Sequence, residues 1–154
     1  MAHTNWNRVI WGGLLAGLVI NVIEYFVNGL LLKDAWARAM QALAKPAGFT
    51  TGAIVAFLIW GFLFGIAAVW LYAAIRSRYG AGPNTAIRAG VAAWVLGALL
   101  PNLASYTMGL FSTGLLVIST IVALVEFVVG TMAGARVYKE ELIAVTPARP
   151  AAAA

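Results

Sequence analysis

Apolar residues run along this chain in four long stretches, at about residues 8–32, 52–75, 86–108 and 113–137, separated by shorter polar segments. Each is long enough to cross about 30 Å of hydrocarbon, which takes roughly 20 residues at about 1.5 Å rise per residue. The pattern predicts an all-α fold: a transmembrane four-helix bundle over residues 1–145, followed by a Pro/Ala-rich tail over 146–154 that lacks apolar periodicity and is expected to be disordered. The links between stretches are short, so successive spans should be antiparallel neighbours. Ala42-Leu43-Ala44 has the form of a signal-peptide cleavage site. The first apolar run is about twice the length of a signal core, contains Glu24 and ends well before that tripeptide, so it is expected to be a retained span.

The first loop carries a second pattern. Trp36, Met40 and Leu43 recur at helical spacing, Lys33, Asp34, Arg38 and Gln41 occupy other faces, and Lys45-Pro46-Ala47-Gly48 ends the run. A short interfacial helix is expected there, either as a surface anchor or as a lid over the bundle mouth.

Composition agrees with a membrane solvent. Of 154 residues 63% are hydrophobic and 10% charged, against roughly 25% charged in soluble domains. The formal charge of +5 does not point to nucleic acid, because the basic residues stand singly at the ends of apolar runs. They point to topology instead. Arg8, Arg76, Arg78, Arg88, Arg136, Lys139 and Arg149 fall on one side, and Lys33, Arg38 and Lys45 on the other. Seven against three places both termini in the cytoplasm. Trp6, Trp11, Trp36, Trp70, Tyr72, Tyr79 and Tyr138 lie mostly near span ends, where amphipathic rings settle at the headgroups.

Small residues recur four apart within the spans: Gly13 and Gly17, Gly61 and Gly65, Gly90 with Ala93 and Gly97, and Gly130 and Gly134. Such ridges let helix backbones approach, within the bundle or at a homodimer seam. Pro101 cannot donate its backbone hydrogen and crowds the carbonyl of Gly97, so the third span should be distorted there. An offset of about 80 residues aligns Arg8, Gly17, Phe26 and Gly29 with Arg88, Gly97, Tyr106 and Gly109, and Thr50-Thr51-Gly52 is similar to Ser112-Thr113-Gly114. Two tandem hairpins in the same orientation would have this signature.

Candidate chemistry is confined to one polar constellation. Glu24 and Glu126 lie within spans, where a carboxylate costs several kcal/mol unless it is protonated, paired or hydrated. Asn21, Glu24 and Asn28 share a stripe of the first span. Asn102 reaches about the depth of Glu24 and is its expected partner. Ser119 lies one heptad before Glu126, and Ser105 with Tyr106 could complete a polar layer. No basic residue lies at comparable depth. These groups are either hydrogen-bonded glue between helices or the proton site of a proton-coupled carrier.

Other chemistries find no residues to carry them. Cysteine is absent, and the one histidine, His3, lies in the polar N-terminal tail, so no metal set and no cofactor site is expected. Gly80-Ala81-Gly82-Pro83-Asn84 lacks the Lys-Ser or Lys-Thr of a phosphate loop and is expected to be a tight turn. Glu140 and Glu141 should form a solvated helix end. No nucleophile, base and orienting acid converge, so no enzyme is expected.

The run from Ala73 to Ala86, Glu24 followed by Asn28, and Val125-Glu126 with Gly134-Ala135 and Tyr138-Lys139-Glu140 resemble an uncharacterised family of small four-span bacterial membrane proteins. The likeness covers most of the chain except the tail. It implies a bacterial cytoplasmic-membrane location and carries no activity. The expected partners are the lipid bilayer and either further copies of the chain or other membrane subunits. The function expected first is that of a non-enzymatic oligomer or accessory subunit, with a proton-coupled small-solute transporter or channel using Glu24 and Glu126 as the alternative.

Overall fold

A computed structural model describes residues 4–139. His3, Glu140, Glu141 and the 146–154 tail lie outside the described residues. Four apolar helices long enough to cross a membrane run over Trp6–Leu31, Thr51–Tyr79, Pro83–Thr107 and Thr113–Val137. A fifth, Lys33–Ala42, forms in the first loop, and there is no strand among the described residues. The chain is a multi-pass, all-α membrane protein.

Side-chain caps explain where the helices begin. Asn5 Oδ1 accepts from the Arg8 N–H at 3.0 Å, Thr50 Oγ1 from the Ala53 N–H at 3.2 Å, and Ser112 Oγ from the Leu115 N–H at 3.4 Å. Each satisfies a backbone donor that a helix N-terminus leaves free. The similarity between Thr50-Thr51-Gly52 and Ser112-Thr113-Gly114 is thus a shared capping device at the start of the second helix of each hairpin. The second and third spans extend past the limits expected from hydropathy. Arg76, Arg78 and Tyr79 continue the second helix, and Pro83 starts the third as a first-turn proline. Charge ends the hydrocarbon stretch without ending the helix.

The turn between them is tight, as expected. Gly80 and Gly82 adopt φ of +81° and +139°, which side-chain-bearing residues rarely occupy. Thr85 Oγ1 donates to the Gly80 carbonyl at 2.8 Å and secures the turn.

Spans one to four follow one another around the bundle as two consecutive antiparallel hairpins. Small residues line the inside and large ones face outward. Val9, Ala16, Ala68, Val69, Ala86 and Ala89 are buried, while Trp11, Leu18, Trp60, Leu63, Leu96 and Ile121 are exposed. This inverts a soluble bundle because lipid solvates leucine as well as a protein core does, and close backbone packing becomes the source of cohesion. The glycine ridges supply it. Gly13 and Gly17 abut Ile66 and Phe62, Gly65 lies against Gly17, Gly12 meets Gly134, and Gly90 meets Phe127 and Val128. All four ridges are used inside the bundle.

Pro101 leaves its expected mark in a specific form. Over Val95–Leu99 the third span widens into a π-helical turn, in which the Leu100 N–H bonds to the Val95 carbonyl. A second π-helical stretch, Tyr25–Leu31, ends the first span and delivers the chain into the loop helix. There Trp36 and Met40 are half-buried while Lys33, Asp34, Arg38 and Gln41 are exposed, the amphipathic arrangement that their spacing requires.

A Cβ at Gly65 would collide with the backbone of Gly13 and Gly17, whereas Gly114 faces open space. Gly65→Ala should therefore lower stability by about 1–3 kcal/mol, read as a fall in Tm in detergent. Gly114→Ala should leave Tm unchanged or slightly raised.

Candidate functional site

The seven polar residues singled out in the sequence separate into three groups. Asn21 donates to the Leu58 carbonyl at 3.2 Å and lies against Gly61, whose missing side chain makes room for it. It ties the first span to the second. Asn102 donates to Thr120 Oγ1 at 2.8 Å, and Thr120 in turn donates to the Leu116 carbonyl at 2.6 Å. The expected pairing of Asn102 with Glu24 is not formed: equal depth is not adjacency, and the third span lies diagonally across from the first. Ser105 and Ser119 donate to carbonyls of their own helices, Pro101 at 2.9 Å and Leu116 at 3.1 Å. Tyr106 is exposed, so the polar layer expected of Ser105 and Tyr106 does not assemble.

The third group converges. Glu24 lies seven residues before the end of the first span, about 10 Å along the axis, and its Oε2 accepts from Asn28 Nδ2 at 2.8 Å. Asn28 Oδ1 accepts from the indole Nε1 of Trp36 on the loop helix at 2.8 Å. Trp36 itself packs edge-on against Phe111 in the third loop, with ring centroids 5.4 Å apart. From the other side Glu126, near the middle of the fourth span and only 3% exposed, comes within hydrogen-bonding reach of Glu24. A file of polar groups thus descends from the loop helix to the centre of the bundle: Trp36, Asn28, Glu24, Glu126.

The antiparallel packing of the first and fourth spans sets this meeting. Gly12 lies against Gly134, and Gly130 against Ala16 and Ile20, so the register carries Glu24 to Glu126. Beside Glu126, Phe127 packs edge-on against Phe64 with centroids 5.4 Å apart, and Gly97 leaves the space that the two rings fill. Glu126 is buried beside these rings, and among the described residues no basic side chain acts on it.

Hydrogen-bond inventory decides what the pair can do. A carboxylate only accepts, so a bond between two carboxyls requires a proton on one of them. Asn28 offers its donor to Glu24, while Glu126 Oε1 is buried without a hydrogen-bond partner among the described residues. By contrast Asn21, Asn28, Asn102, Ser105, Ser119, Thr120 and Thr131 all have partners. A single proton shared by the two carboxyls would join the first span to the fourth. An indole N–H donates and cannot accept, so the file ends at Trp36 with a donor turned towards Asn28.

Two participants were not singled out from the sequence. Trp36 has the spacing of a surface anchor, and the usable signal in the sequence is its indole donor on a loop helix that begins soon after Asn28. Thr120 gave none, since a threonine among β-branched residues looks like helix filler. Two clefts open elsewhere. One of about 320 Å³ lies on the second span at Trp60, Leu63, Phe64 and Ala67, and one of about 260 Å³ lies at the arginine-bearing end; neither is lined by Glu24 or Glu126. Comparison with family models, curated proteins and solved structures finds no match to this chain.

Trp36→Phe keeps a ring against Phe111 and removes the donor to Asn28. Detergent melts should show a loss of roughly 1 kcal/mol. Ser105→Ala, which breaks only a bond within its own helix, should melt like the wild type.

Proposed function

We propose that this chain is a non-enzymatic, proton-coupled membrane protein, a carrier or channel for small cationic or polar solutes, with Glu24 and Glu126 as its proton-binding pair. One observation carries the reading. Two carboxyls from different spans meet within the bundle, and Oε1 of the buried Glu126 has no hydrogen-bond partner among the described residues. Interhelical glue gains stability from polar groups that are fully paired, and a half-satisfied network is worse than an apolar one. A site that must take up and release a proton or a cation needs the opposite: an acceptor kept open in a place where charge is costly.

The rival is an accessory subunit, or an assembly of further copies, that has no transport of its own. The glycine ridges that could have formed a dimer seam are occupied inside the bundle. The placement that goes with the proposal is a bacterial cytoplasmic membrane with both termini in the cytoplasm. Its support is the basic residues at one end of the bundle, Arg8, Arg76, Arg78, Arg88, Arg136 and Lys139, against Lys33, Arg38 and Lys45 at the other. In that orientation the Trp36 file opens towards the outer face.

In lipid films, infrared spectra should contain a protonated-carboxyl band whose amplitude changes with pH, absent from Glu126→Gln. Proteoliposomes with a trapped pH-sensitive dye should acidify under an imposed gradient faster than empty liposomes. Glu24→Gln and Glu126→Gln should abolish that difference while melting within about 1 kcal/mol of the wild type. Wild-type vesicles as tight as empty ones, with both variants still folded, would favour the accessory subunit.

Orientation is separately testable because the chain has no cysteine. An impermeant maleimide added to intact cells should label Ala47→Cys and reach Ser77→Cys only after permeabilisation. The reverse pattern would invert the topology.

A further inference from the structure

The arginine-bearing end of the bundle has a cleft that the carboxyl pair does not use. It holds about 260 Å³ between the start of the third span, at Gly82, Pro83 and Ala86, and the end of the fourth, at Met132, Ala135 and Arg136, with Tyr72 of the second span as a further wall. The cleft is amphipathic along its length. Arg136 is exposed at its outer end, in the last turn of the fourth span. Met132 and Ala86, each three or four residues deeper in its own helix, make the inner end apolar.

The walls are tied to one another. Tyr72 is buried, its hydroxyl accepts from the Gly82 N–H at 3.3 Å, and its ring packs edge-on against Tyr138 at 6.0 Å. Arg76, one turn beyond Tyr72, lies over the Tyr138 ring at 5.5 Å from its centroid. A second guanidinium therefore stands behind the tyrosine wall. The described residues at this end carry Arg8, Arg76, Arg78, Arg88, Arg136 and Lys139 and no acid; Glu140 and Glu141 follow in the sequence, outside the described residues.

We propose that this cleft seats one anionic phospholipid, with its phosphate at Arg136 and the upper part of an acyl chain along Met132, Ala135 and Ala86. Charge and shape both select this occupant. A guanidinium forks onto phosphate oxygens, and basic pockets between spans on an anionic leaflet hold lipid headgroups. The apolar inner half has nothing to offer a small hydrophilic anion. A zwitterionic lipid fits the apolar half but carries an ammonium into a field already positive.

Native mass spectrometry of the detergent-purified full chain, with phosphatidylglycerol or phosphatidylethanolamine of matched acyl chains, tests this. The expected result is a one-lipid adduct with phosphatidylglycerol that outlasts the phosphatidylethanolamine adduct. Arg136→Gln should weaken it roughly fivefold, the effect of one basic residue at an anionic surface. Ala135→Phe, which fills the apolar half and keeps the charge, should also remove it. Arg78→Gln, exposed and outside the cleft, should leave it intact, and melts should show all three variants folded. Equal retention of both lipids would overturn the proposal, as would equal losses in Arg136→Gln and Arg78→Gln. Displacement by soluble glycerol phosphate at the concentration of the lipid would reassign the cleft to a free anion and overturn it as well.

Discussion

Hydrocarbon cannot donate or accept a hydrogen bond, and in this chain that single deficiency of the solvent governs both cohesion and chemistry. Because the lipid tails solvate Leu, Ile and Phe as well as a protein core would, no apolar drive pulls the spans together. Contact must come from surfaces that fit closely, and the chain supplies them as glycine ridges: Gly13 and Gly17 against Gly61 and Gly65, and Gly12 against Gly134. The same solvent obliges each polar side chain to find its partner inside the bundle. Asn21 reaches a carbonyl of the second span, Asn102 a threonine of the fourth, and Ser105, Ser119 and Thr131 turn back on their own helices.

Against that background Glu126 stands apart. It is the most costly kind of group to place at mid-membrane, it is almost fully enclosed, and one of its oxygens has no hydrogen-bond partner among the described residues. The register that the glycine contacts impose on the first and fourth spans is what brings Glu24 to it. The close packing that holds the bundle together therefore also builds the pair, and a shift of one helical turn along that seam would separate the two carboxyls. The π-helical end of the first span acts on the same pair from above. Asn28 lies within it, and the chain then folds directly into the loop helix that carries Trp36.

The two ends of the molecule have different characters. At the loop-helix end, aromatic contacts between Trp36 and Phe111 join the first and third loops over the polar file. At the other end, arginines lie on tyrosine rings, Arg76 on Tyr138 and Arg88 on Tyr79, and the short glycine turn draws the second and third spans together beside an open cleft. Guanidiniums held in this way are fixed in position and keep their charge. The basic residues gathered at this end are the asymmetry on which the proposed orientation and the proposed lipid seat both rest.

Much of this architecture was legible in the order of residues. The lengths of the apolar runs determined four spans, the spacing of Trp36, Met40 and Leu43 determined the loop helix, and glycines four apart marked the contact faces, because each is a property of one helix and its solvent. Glu24 and Glu126 were visible as misfits for the same reason. Which partner each polar residue takes was not visible, because that depends on the order of the helices around the bundle and on their axial register. Depth alone suggested Asn102 for Glu24. Only the tertiary structure, which puts the third span diagonally across from the first and slides the fourth until Gly134 meets Gly12, could give Asn102 to Thr120 and Glu24 to Glu126.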